Sequence, residues 1–143
     1  MKVLLTILMF SLFSPVFPQA KSYSGKNGIA INGYDPVAYF TERKAVEGKD
    51  HFSWNWSGST WKFASQLHLD SFRLEPERYA PQYGGYCAFG CSENHKSPTD
   101  PKAWTIVQDK LYLNYNAAVK NLWIKDTINR IKLADGFWPA LNQ

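Results

Sequence analysis

The chain has 143 residues, of which 45% are hydrophobic and 16% aromatic, and it carries a formal net charge of +4 at pH 7. Its Lys and Arg residues are dispersed, without the basic patch that nucleic-acid binding requires, so the composition speaks against a nucleic-acid partner. Two cysteines, Cys87 and Cys91, are too few for a disulfide scaffold, so the core has to be hydrophobic, and the large rings suit that role.

At the N-terminus, Lys2 precedes a run from Val3 to Phe13 that is apolar apart from Thr6 and Ser11. A spanning helix needs about 20 apolar residues, whereas the core of a secretory signal needs about 7–15 and ends near small residues. Residues 1–20 therefore read as a signal peptide cut after Ala20, with Pro15 and Pro18 ending any helix. The expected location is periplasmic or secreted, with no membrane contact after cleavage. Residues 21–30 are polar and bear glycine, so they read as a flexible leader to a single domain at 31–143, close to the commonest domain size.

Within the domain, Asn32-Gly33-Tyr34-Asp35-Pro36 predicts a turn, in which Asp35 holds nearby backbone N–H groups. Val37 to Phe40 is a short apolar run, and Glu42 to Asp50 a charged loop. From His51 to Phe63 apolar and polar residues alternate around Ser57-Gly58-Ser59, which predicts a β-hairpin with Phe52, Trp54, Trp56, Trp61 and Phe63 on its buried face. Ser65 caps a short helix from Gln66 to Leu74 with Leu69 and Phe72 inward, and Pro76 begins a turn carrying Tyr79. Residues 80–97 are rich in Gly, Tyr and Cys and read as loop or irregular strand. Asp100-Pro101 is expected to cap a helical turn through Trp104, before a second hairpin of 105–107 and 111–114. Asn116 then caps one long amphipathic helix whose stripe is Val119, Trp123, Ile128, Ile131 and Ala134, ended by Gly136 as C-cap. The expected class is α+β: two hairpins, a short central helix and a long C-terminal amphipathic helix.

The strings Gly33-Tyr34-Asp35-Pro36-Val37-Ala38-Tyr39-Phe40, Pro81-Gln82-Tyr83-Gly84-Gly85-Tyr86-Cys87-Ala88 and Lys110-Leu111-Tyr112-Leu113-Asn114-Tyr115, together with Ser65, His68, Phe72, Pro76 and Tyr79, resemble the YHS domain in its exported bacterial branch. The likeness covers nearly all of residues 29–139. It implies a small fold similar to a treble-clef finger and transition-metal binding, of copper or zinc. In the short YHS modules the thiols lie in D-P-V-C and F-C-S-x-x-C patterns, and those positions fall here on Ala38, Ala64 and His68. Most of that cage is therefore replaced, and a four-ligand structural zinc site is not expected.

The remaining candidates for metal coordination are His68, Cys87, Cys91 and His95, since thiolate and imidazole suit Cu(I) and Zn(II). The same cysteines could form a disulfide or remain free thiols, and spacing alone leaves all three states open. His51 and His95 are expected at the surface. The sequence contains no G-x-S-x-G, phosphate loop, H-E-x-x-H or Cys-x-x-Cys, so catalysis is not expected. Three functional readings follow: an exported metal-binding module, a metal-free structural or protein-interaction module of the same fold, and a redox enzyme using the Cys87 thiol.

Overall fold

The computed structural model describes residues 23–143, so the predicted signal and its cleavage point lie outside the described residues. The class is α+β, with two separate two-stranded antiparallel sheets. The first pairs β1 (Lys49–Trp56) with β2 (Ser59–Phe63), placing Trp54 opposite Trp61. Its turn residues Ser57 and Gly58 both have positive φ, which matches the twist of a two-residue hairpin. Ahead of it, α1 (Ala38–Thr41) follows the Asp35 turn. The chain then passes Gly48, where a Cβ would lie 2.5 Å from the Lys62 carbonyl carbon, so only glycine allows this approach.

Helix α2 (Gln66–Leu74) has the expected bounds, and the Ser65 side chain accepts from the His68 N–H at 3.2 Å. Phe72 is the centre of an aromatic cluster, 4.8 Å from the Trp61 ring, 5.2 Å from Phe63 and 5.6 Å from Trp56. The short α3 (Pro76–Tyr79) adds Tyr79 to this core. Residues 23–30, read as a leader, are tied to the domain. The Tyr23 N–H donates to Ser59 Oγ, the Ser24 N–H donates to the Gly84 carbonyl, and Ala30 is fully buried.

Three expectations are corrected. Residues 80–97 contain α4 (Ala88–Ser92), whose N-cap is Cys87. Asp100 does bond the N–H two residues on, that of Lys102 at 2.9 Å, yet the chain stays extended as β3 (Asp100–Val107), with an irregularity in register after Asp100. Proline is tolerated at such strand ends and bulges. β3 pairs with β4 (Lys110–Asn114). The C-terminal helix is two helices, α5 (Ala117–Lys125) and α6 (Thr127–Leu141), broken at Asp126. There the Thr127 hydroxyl donates to the Trp123 carbonyl, and Asp126 accepts from the Asn129 side chain. Gly136 lies inside α6, and Ile128 is 65% exposed rather than part of the buried stripe.

The core has two parts. One gathers Ala30, Ile31, Val37, Tyr39, Trp61, Phe63, Phe72, Leu111 and Leu113; the other gathers Tyr83, Ala88, Cys91, Tyr112, Trp123 and Ala134. Strand β4 serves both, since alternate side chains point to opposite faces. Leu111 and Leu113 enter the first core, Tyr112 the second. Among the described residues no helix is long and apolar enough to cross a membrane.

Candidate functional site

Asp35 is fully buried, and a buried carboxylate survives only if its lone pairs are bonded. Oδ1 accepts from the Val37 N–H at 2.9 Å and the Ala38 N–H at 3.3 Å. Oδ2 accepts from the Ala64 N–H at 2.9 Å and from His68 Nδ1 at 2.6 Å. The turn, the end of β2 and the first turn of α2 thus meet on one anion. The donors come from Val37, Ala38, Ala64 and His68.

With Nδ1–H committed to Asp35, the other ring nitrogen of His68 is fixed as the outward one. Nε2 lies 3.3 Å from Thr41 Oγ1 and 4.0 Å from Glu42 Oε1. Thr41 Oγ1 is also 3.1 Å from the Val37 carbonyl, to which it donates.

Cys91 lies in the other core, and Cys87 caps α4. Both are buried free thiols, so the disulfide reading is not realised. Cys87 Sγ accepts from the Gly90 N–H at 3.4 Å and donates to Asn114 Oδ1 at 3.6 Å. The same Asn114 oxygen accepts from the Phe89 N–H at 3.1 Å, which sets the orientation of the amide and leaves Nδ2 without a partner among the described residues. Burial pushes the Cys91 thiol up to about 12, with the neighbouring Cys87 adding to the shift, so Cys91 is protonated at neutral pH. His95 is exposed and its ring covers Gly90: a Cβ there would meet His95 Nε2 at 3.2 Å and Cys87 Cβ at 3.5 Å.

The four nominated metal ligands therefore do not form one set. Cys87, Cys91 and His95 gather around α4, while His68 is held by Asp35 in the first core. Among the described residues no group of three His, Cys, Asp or Glu side chains is placed to hold an ion. The sequence pointed to Asp35 as a turn-former but not to its bonds with Ala64 and His68, and it offered no signal for Asn114, whose partners lie 25 and 27 residues away.

Compared with known proteins, the chain matches no family model, no curated protein and no solved structure.

Proposed function

We propose that this chain is a non-catalytic binding module of the YHS type whose finger-like half is held together by a carboxylate instead of a metal ion. The observation that carries this reading is the Asp35 hub: a fully buried anion accepting four hydrogen bonds, three of them from residues that the sequence resemblance aligns with the thiols of the short YHS modules. A cation at that centre would compete with those N–H donors for the same lone pairs. The aromatic cluster around Phe72 supports the reading further, because it supplies apolar burial that a small metal-dependent finger lacks. The test is a thermal melt of the purified chain with and without a strong chelator, together with its metal content. The expected result is an unchanged Tm and less than a tenth of an equivalent of bound metal. A chelator-induced fall in Tm overturns the reading.

A second reading, soft-metal binding by the thiols, has one observation in its favour: Cys87 and His95 flank Gly90, and Cys91 follows it in α4. Coordination would have to remove the Cys91 proton, so Cu(I) affinity should rise with pH. Cys87→Ser binding Cu(I) as tightly as the parent would end this reading.

A further inference from the structure

The two C-terminal helices carry a seam on their outer face that no described residue covers. Leu122, Asp126, Asn129, Leu133, Gly136 and Ala140 follow one another at alternating spacings of four and three residues, the spacing of a helix–helix contact, and all six are exposed. Asp126, Asn129, Leu133 and Gly136 line one groove there, together with Lys132 and Phe137. It is the inner side of α6 that fastens the helix. Ala134 is buried in the second core, Asp135 accepts from the Tyr83 hydroxyl at 2.8 Å, and Arg130 bonds Ser92 and Glu93. Gly136 has no such reason within the fold. An interior glycine costs a helix about 1 kcal/mol relative to alanine, yet a Cβ at Gly136 would meet nothing within 4 Å, so no described neighbour requires its absence. A second helix lying across the groove would require it.

We infer that this face binds a second copy of the chain, running antiparallel to the first along α5 and α6 about a two-fold axis. A two-fold contact has to be self-complementary. The sizes along the seam decide the direction. Leu122 and Leu133 precede Gly136 and Ala140, so a parallel copy would set glycine against glycine and leave a gap, whereas an antiparallel copy sets Leu122 against the small end of its partner. The charges agree. Lys132 forms no ion pair among the described residues, and the Asp126 carboxylate accepts from the Asn129 side chain at 3.0 Å. A parallel copy would oppose Asp126 to Asp126, while an antiparallel one brings Asp126 of each copy to the Lys132 side of the other, twice over by symmetry. With 15 residues α6 is about 22 Å long. A contact along it falls at the small end of specific interfaces, so the dimer is a weak one, with a Kd on the order of 10–100 μM. The inference goes beyond the proposed function above and does not depend on it, since the Asp35 hub belongs to the first core and α6 packs on the second.

The experiment is sedimentation velocity of the purified chain from about 5 μM to about 1 mM, a range that brackets the expected Kd. The expected result is a reversible monomer–dimer equilibrium. Gly136→Leu fills the groove and should weaken it at least tenfold, while the melt of the dilute variant is unchanged or higher, since the new side chain meets no described neighbour. Lys132→Asp and Asp126→Lys should each weaken self-association, and an equimolar mixture of the two should dimerise again, because one copy then carries both acids and the other both bases. A chain that is monomeric throughout, equal association in Gly136→Leu, or a mixture that associates no better than its components would each overturn the inference, with Gly136→Leu deciding alone if Asp126→Lys does not fold. So would a chain that stays monomeric and pellets with anionic phospholipid vesicles, which would assign the face to a lipid surface.

Discussion

The two cores of this small domain treat their buried polar groups in opposite ways. In the first, Asp35 is completely enclosed and every bond it can reasonably accept is made, by groups from the turn, β2 and α2. In the second, Asn114 is equally enclosed, yet its Nδ2 has no partner among the described residues, and the sulfur beside it makes only long contacts. Burial by itself therefore does not say what a polar residue contributes. A satisfied group joins elements together, whereas a half-satisfied one is tolerated for the part of it that bonds.

The largest effect should come from Asp35→Asn. An amide cannot accept from the Ala64 N–H and His68 Nδ1–H with its nitrogen turned toward them, so the hub loses two bonds and gains a clash of donors. A loss of about 1–3 kcal/mol for each of the two buried donors left unpaired is expected from chemical denaturation. A loss below about 1 kcal/mol would remove the contrast between the halves. Asn114→Ala should cost only about 1 kcal/mol, because it leaves the Phe89 N–H unpaired but also deletes the orphan donor.

High pH should act on both cores through groups whose protons the native state holds more tightly. Burial raises Tyr23 and Tyr112 to about 12, aided by Glu77 and Asp135 respectively, and Cys91 to about 12. The folded values lie above the unfolded ones of 9.0 and 10.0, so the native form binds more protons in that interval. Their contribution is complete below about pH 9 and declines as pH rises toward 12. Cys91→Ala should make the decline of stability between pH 9 and 11 shallower, and an unchanged slope would show that the Cys91 thiol does not contribute to it. The smallest effect concerns the second hairpin, whose turn residues Gln108 and Asp109 have positive φ without a glycine. Asp109→Gly should raise stability by up to about 1 kcal/mol, read as a modest rise in Tm.

How much of this was legible depended on the range of the interaction. The alternation from Phe52 to Phe63, the Ser65 cap and the bounds of α2 rest on neighbours within a few residues, and sequence periodicity reports those well. Helix α4 was hidden because its cap is a cysteine and it contains Gly90, both poor helix signals; it is held instead by Asn114 and by Arg130, which reaches Ser92 and Glu93 from α6. The break at Asp126 was written locally, as Asp-Thr followed by Asn129, but the apolar spacing on either side concealed it. Of the candidate site, the turn role of Asp35 was readable from Asp-Pro. Its bonds to Ala64 and His68 span 29 and 33 residues, and no local pattern encodes them.

Strand β4 gives this arrangement a dynamic consequence. Since Leu111 and Leu113 are inserted in one core while Tyr112 is inserted in the other, neither half can open without withdrawing side chains from the strand they share. The chain should melt as one cooperative unit despite its two cores, and the amides of residues 111–113 should exchange with solvent only when the whole molecule unfolds.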